Sequence, residues 1–209
     1  MRLADDGELE RSSVVANRAM NRTRGLSGRD GYSAVLGVDI LALAPASWLD
    51  LCCGSGKALL EAAGALDTVI TGVDLVGFFA GPLPATVDLV AASVTGWRPD
   101  RRYDLITCVH GLHYVGDKLG LLAAAASWLM PNGLLIANFD VSSLRDQDGR
   151  PLRVTKVLRE AGFQYARHRI RRQGPAEVAF GVLDLGADPK AGLNYTGQPA
   201  VHSYYSSQG

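Results

Sequence analysis

The sequence predicts a doubly wound α/β domain built on a mostly parallel sheet. Three observations predict it. Five short apolar runs recur at 47–52, 68–73, 86–91, 103–109 and 133–139. Helix-forming segments separate them, most clearly at 55–65 and 117–130. A strand runs directly into glycines and then a helix at Trp48-Leu-Asp-Leu-Cys-Cys-Gly-Ser-Gly-Lys57. Continuous apolar strands alternating with helices are what a parallel sheet requires, because both of its faces are covered.

Each element follows in order. Residues 1–45 read as an N-terminal helical cap. Leu9 to Gly25 is helix-forming, Gly25, Gly28 and Gly31 break it, and Val35 to Ala44 is a second apolar helix stopped by Pro45. Residues 46–185 hold the sheet domain. In it, Pro131-Asn132-Gly133 separates the helix from the fifth strand. A polar loop follows Asp140, then a helix at 151–161 ending at Gly162. Strand-like runs at 163–171 and 176–185 are joined by Gln173-Gly174-Pro175, which is short enough for a hairpin. The last strand should therefore lie antiparallel, giving seven strands in all. The tail, 186–209, carries no hydrophobic run to anchor a strand; it reads as a flexible end, a strap across the pocket or a dimer contact.

Composition narrows the partners. The 21 Lys and Arg balance 21 Asp and Glu in 209 residues, which argues against a general nucleic-acid binder. No apolar run approaches the ~18 residues of a membrane span, and the acidic N-terminus is not a secretory signal. Cys52 and Cys53 are adjacent and Cys108 stands alone, so no disulfide framework is available, and a reducing cytoplasm is the expected setting. The neutral total hides an uneven spread: nine acids to five bases from Ala46 to Asp140, then nine bases to three acids from Arg145 to Arg172. Arg167, Arg169, Arg171 and Arg172 would steer an anionic substrate, but their strand-like alternation reads better as a solvated edge strand.

The glycine loop is the most informative stretch. Glycines serve where the backbone turns sharply and a ligand approaches its N–H groups. The following helix N-terminus adds partial positive charge. A phosphate-binding P-loop fails, because Leu51 stands at its first glycine and Ala58 at its Ser/Thr. A dinucleotide fingerprint is weakened by Leu59 at the third glycine and by Asp50, whose carboxylate would repel a pyrophosphate. Asp74 ends the next strand 20 residues after Gly54, where a nucleoside site places an acid against ribose hydroxyls. An acid, two glycines and a second acid suit S-adenosylmethionine, which has an ammonium, a sulfonium and no phosphate.

On LDLCCGSG, ITGVDL and YDLITCVHGLHYV with WLMPNGLLIANFD, the chain resembles the class I S-adenosylmethionine-dependent methyltransferases of small-molecule type. The resemblance covers roughly 46–185 and implies a Rossmann-like fold. It implies that Asp50, Cys52, Gly54, Ser55 and Gly56 wrap the methionine part of the cofactor, that Asp74 binds the ribose, and that Leu75 lies against adenine. The position after the third strand, usually acidic, appears here as Ser93 beside Val94, a departure at the adenine amine. Val109 would face the cofactor. In such proteins N-terminal helices close over the site, so Arg22, Arg24 and Tyr32 are candidates for the cofactor carboxylate and Met20 for the acceptor pocket.

The fourth strand ends at Cys108-Val-His-Gly-Leu-His-Tyr114, the segment that faces the transferable methyl in the resemblance. Neutral imidazoles there can take a proton, with His113 the first candidate base and His110 the second. Tyr114, Asn138 and Asp140 would shape the acceptor pocket. His110-x-x-His113 with Asp117 or Asp140 lacks further fixed ligands, so no metal is expected. The Asn-Pro-Pro-Tyr type motif of DNA-amine and protein-amide methylases is replaced by His110-Gly-Leu-His113. The expected activity is methyl transfer to an oxygen or nitrogen of a small molecule such as a secondary metabolite, in a monomer or homodimer. The rival is a protein of the same fold without methyl transfer, acting as a cyclase or as a binding partner.

Overall fold

The structure is a computed structural model and describes residues 2–16 and 23–207, so Met20 and Arg22 lie outside the described residues. Among the described residues the chain opens with four short helices, α1 (Asp6–Glu10), α2 (Ser13–Ala16), α3 (Tyr32–Leu36) and α4 (Ile40–Leu43). The single helix expected over 35–44 is two helices. Gly37 ends α3 in the left-handed region (φ +70°), where its backbone N–H returns to Ser33 O, and Asp39 caps the next.

The sheet then builds in the expected order through β1 (Ser47–Leu51), α5 (Lys57–Ala63), β2 (Val69–Asp74), β3 (Val87–Ala91) and β4 (Tyr103–Cys108). There follow α6 (Lys118–Ser127), β5 (Leu129–Asn138), β6 (Leu144–Asp146), α7 (Thr155–Glu160), β7 (Gln164–Ala166) and β8 (Arg169–Gln173). The strand order is β3-β2-β1-β4-β5-β8-β7, with β8 antiparallel to both of its neighbours and the other strands parallel. This is the seven-stranded, doubly wound sheet with one reversed strand that the sequence predicts.

Alternate residues feed two cores. Leu49, Leu51, Ile106, Cys108, Leu135 and Ala137 face one side, packed with α6 and α7. Trp48, Ile70, Leu105, Leu134 and Ile136 face the other, packed with α5 and with Leu26, Tyr32, Leu36 and Ile40. The N-terminal segment is thus one wall of the core as well as a cap. Glu61 on α5 fastens it by accepting from Leu26 N at 2.6 Å and from Lys57.

Four further expectations are corrected. Pro131-Asn132-Gly133 does not separate the helix from the fifth strand but bulges within that strand: the register with β4 jumps from Tyr103↔Leu129 to Leu105↔Leu134. No helix joins β2 to β3, where Gly77, Gly81, Pro82 and Pro84 forbid one, and Phe78 stands 79% exposed on this segment. The hairpin lies earlier than expected, between β7 and β8. Its two turn residues, Arg167 and His168, both have positive φ (51° and 58°), as a tight twisted hairpin demands. Without Gly or Asn there, the sequence hid the turn inside what read as one strand, and each residue costs roughly 1–2 kcal/mol of backbone strain. Because β8 lies inside the sheet, its arginines are not on an edge.

Finally, the tail does form a strand. β9 (Val182–Asp188) and β10 (His202–Ser207) build a second sheet with β6, in the order β6-β10-β9. Ala4 bridges to Ala187 through two backbone hydrogen bonds of 2.8 and 2.9 Å, so both ends of the chain meet. Leu9, Ala187 and Val201 bury a small core between them.

Candidate active site

A cleft opens beyond the carboxyl ends of β1, β2 and β4, where doubly wound sheets bind ligands. The β1 loop enters it through three left-handed residues, Cys52 (φ 62°), Gly54 (φ 63°) and Gly56 (φ 74°). Gly56 has a packing reason as well: a Cβ there would lie 2.7 Å from Leu89 Cδ1. The loop is tied to Asp74, whose Oδ2 accepts from Gly54 N at 2.9 Å while Oδ1 accepts from Val76 N at 3.0 Å. Each carboxylate oxygen therefore accepts from a backbone N–H of the loop or of the segment after β2. Asp74, Gly54 and Cys52 all line the cleft, with Leu75, Ser93, Val94 and Val109.

Asp50 is not in that wall. It is fully buried beneath the loop, accepting from Tyr32 Oη at 2.7 Å on one oxygen and from Thr107 Oγ1 on the other. Thr107 in turn accepts from Trp48 Nε1 at 2.8 Å. Burial pushes the Asp50 carboxyl up to about 7, although both hydroxyl donors pull it down. The same burial, with Asp50 next to it, raises the Tyr32 phenol well above its usual value. Tyr32 itself lines the cleft, so its hydrogen bond ties Asp50 to that wall. Ser55 and Gly56 are not among the cleft-lining residues.

The segment after β4 forms the opposite wall. His110 holds a left-handed backbone (φ 60°) and its N–H donates to Asn138 Oδ1 at 3.2 Å. Gly111 sits so close to Cys52 that an added Cβ would lie 2.4 Å from Cys52 Cβ. His110 lines the cleft and a second cavity behind it, which Asn138 also lines. His113 lines neither. It is 1% exposed, its Nε2 lacks a hydrogen-bond partner among the described residues, and the rings of His110 and Tyr195 pack at 5.7 and 5.3 Å. The 3-10 turn Gly111–Tyr114 directs His113 into the interior, so of the two histidines it is His110 that lines the cleft. Burial brings His110 down to about 4, helped by Arg24, and His113 down to about 3, so both are neutral at pH 7. Tyr114 lines the cleft, whereas Asp140 is buried and accepts from Ser142 N at 3.0 Å to cap the turn after β5.

No motif marks the third wall. Asp6, Leu9 and Glu10 from α1 and Val15 from α2 close over the cleft, with Arg24 beside them. They lie far from every motif, and only their place on the N-terminal cap hinted at them. Thr107, the partner of Asp50, was likewise unmarked inside a strand. Among its lining residues the cleft faces three carboxylates, Asp6, Glu10 and Asp74, against one guanidinium, Arg24. Its apolar walls at Leu75, Val94 and Val109 suit the flat faces of an apolar or aromatic group. That charge balance suits a ligand with cationic groups and repels a pyrophosphate. In the cleft wall Ser93 Oγ is engaged with Thr95 Oγ1 at 2.9 Å. Among the described residues no three His, Cys, Asp or Glu side chains converge as metal ligands would, and no helix is long and apolar enough to cross a membrane.

Comparison with known proteins bears on this geometry. No curated protein matches the chain. Similar solved structures include an amino pentose methyltransferase from Micromonospora echinaspora, involved in calicheamicin biosynthesis and bound to S-adenosylmethionine (24% identity, TM-score 0.42, covering 48% of this chain and 46% of that one). Another is the N-methyltransferase NodS from Bradyrhizobium japonicum (17%, TM-score 0.45, 65% and 91%). A third is a sugar N-methyltransferase from a Streptoalloteichus species (22%, TM-score 0.41, 47% and 42%). The chain thus spans less than half the length of two of these three proteins. A family profile described as a methyltransferase domain matches residues 33–174, from α3 through β8, and so takes in the glycine loop, Asp74 and both histidines. The glycine loop tied to its acid at the head of this sheet, and the profile that spans both, make the chain a member of the methyltransferase domain family.

Proposed function

We propose that the protein transfers a methyl group from S-adenosylmethionine to an oxygen or nitrogen of a small-molecule acceptor, such as a secondary metabolite. The observation that carries this is Asp74, held in the cleft wall by Gly54 and Val76 N–H groups and facing an acid-rich, apolar-walled space. In this reading the Asp74 carboxylate accepts from the ribose hydroxyls, Leu75 and Val94 flank the adenine, and the loop from Cys52 to Gly54 lies along the methionine part. When bound, the cofactor supplies an electrophilic methyl on a sulfonium.

The chain's own residues then have limited chemistry to do. Methyl transfer is an in-line displacement, so orientation supplies most of the acceleration. His110, unprotonated at neutral pH and shared by both cavities, is placed to take the acceptor's proton on its ring. An oxygen or nitrogen being alkylated is acidic enough to yield that proton even to a weakly basic imidazole. The helices α1 and α2 exclude water from above.

Calorimetric titration with S-adenosylhomocysteine tests the cofactor site. Wild type should bind, and Asp74→Ala should bind about 10- to 100-fold more weakly, since hydrogen bonds to a charged group are worth about 1.5–3 kcal/mol. Absence of binding in wild type, or equal binding in the variant, overturns the reading. Methyl-labelled cofactor with hydroxyl- and amine-bearing acceptors then separates methyl transfer from a cyclase or binding role.

A further inference from the structure

We infer that the acceptor is an anion, and that Arg167 and Arg169 hold its carboxylate or phosphate in the cavity behind His110. The inference rests on the methyl-transfer reading, which gives that cavity its relation to the cofactor cleft. Arg24 and His110 line both spaces, so a ligand in one reaches the other through them. Three guanidiniums, Arg24, Arg167 and Arg169, face the second cavity against a single carboxylate, Asp30. The cofactor cleft has the opposite balance. Two adjoining spaces of opposite sign sort a cationic cofactor from an anionic acceptor.

The arginines are placed for this by the fold. Arg169 pairs with Asn138 across β5 and β8, and directly opposed residues in an antiparallel pair project to the same face. Arg167 stands in the left-handed turn, where a glycine or asparagine would sit without strain. Neither arginine makes a salt bridge with any described residue. Arg172, three residues along the same strand from Arg169, is used differently. It donates to Ala161 O and Gly174 O and lies 5.4 Å over the Phe163 ring. The far wall comes from the C-terminal segment. Asn194 Oδ1 accepts from Thr196 N at 2.8 Å and fixes a turn that stacks Tyr195 on His168, with centroids 3.9 Å apart. Arginine forks match carboxylate and phosphate oxygens in pairs, and a ligand so held presents its remaining groups toward His110.

Titration of the S-adenosylhomocysteine-saturated protein with benzoate, phenyl phosphate and neutral benzamide tests this. At least one anion should bind tenfold or more tightly than benzamide, and the tighter one tells carboxylate from phosphate. Arg167→Gln with Arg169→Gln should weaken that anion tenfold or more while S-adenosylhomocysteine affinity stays within twofold. Arg167→Gln alone, at an exposed turn, should give a severalfold loss and serves if the double variant does not fold. Benzamide binding as tightly as both anions, no anion binding at millimolar concentration, or unchanged binding in the variants overturns the inference. The two readings fail separately. Arginine-dependent anion binding in a protein that does not take S-adenosylhomocysteine removes the cofactor reading and leaves an anion site. The converse removes only the anionic acceptor.

Discussion

Tyr32 donates its hydroxyl to Asp50 across 2.7 Å, and both side chains are buried. The bond joins the N-terminal segment to the first strand of the sheet beneath the glycine loop. Tyr32→Phe leaves Asp50 Oδ2 without its donor and should cost about 1–3 kcal/mol in urea unfolding. The carboxyl also sets a pH dependence. Its value near 7 lies above the ordinary 3.8, so between these limits the folded protein holds more protons than the unfolded chain. Its contribution is complete below 3.8 and fades as pH rises through 7. Wild type should therefore lose stability relative to Asp50→Asn between about pH 4 and pH 8. A constant difference in urea midpoint across that range would refute the assignment.

The two histidines work in the other direction. With values near 4 and 3 against an ordinary 6.5, His110 and His113 bind fewer protons folded than unfolded. The stability they contribute is complete above 6.5 and is lost as pH falls through 4 and 3. His113→Phe removes one titrating group and an Nε2 that has no hydrogen-bond partner among the described residues. Thermal melts of the variant should lose less on acidification from about pH 7 to pH 4 than those of wild type.

Activity should separate the same pair. His110→Ala is expected to lower kcat by roughly 100-fold while S-adenosylhomocysteine affinity changes little. His113→Phe should leave kcat within a few-fold, since His113 reaches neither cavity. A larger loss from His113→Phe than from His110→Ala would restore His113 as the base.

Gly111 has no space for a methyl group. Its added Cβ would lie 2.4 Å from Cys52 Cβ and 2.8 Å from Cys108 Sγ, so Gly111→Ala must push the histidine segment away from the glycine loop. Overpacking of this kind costs about 1–3 kcal/mol, and cofactor affinity should fall with it. Gly96→Ala, where nothing lies within 4 Å, is the control and should change neither.

Lys118 binds the tail to the site. Its buried Nζ donates to Val115 O at 3.0 Å, Val201 O at 2.9 Å and Ser203 Oγ at 2.8 Å. Lys118→Met strands three acceptors and should destabilise by about 2–4 kcal/mol, with limited proteolysis cutting between β9 and β10 sooner than in wild type. Burial lowers the lysine to about 7 from 10.5, so the folded state binds fewer protons in that window and wild-type stability should climb from neutral toward alkaline pH relative to the variant.

Alternating apolar runs and a strand–glycine–helix junction are local features, and the sequence carries them fully. β1, β2, β3 and β4 lie within a residue or two of the runs that predicted them, because a buried parallel strand must be apolar along its whole length. Gly54 and Asp74, spaced by 20 residues, meet through a hydrogen bond as that spacing implies. The tertiary structure decided everything that depends on residues far apart. It sank Asp50 and His113 below the surface, since which face a side chain takes is set by neighbours the spacing does not reveal. It made a strand of His202–Ser207, whose pattern is polar, because Lys118 and Asp117 hold Ser203 and Tyr205 there. It turned an apparent row of edge arginines into one strand with two uses, since a turn without glycine leaves no mark until β7 and β8 pair. Patterns repeating over a few residues are fixed by backbone geometry, whereas burial and charge pairing are properties of the folded whole.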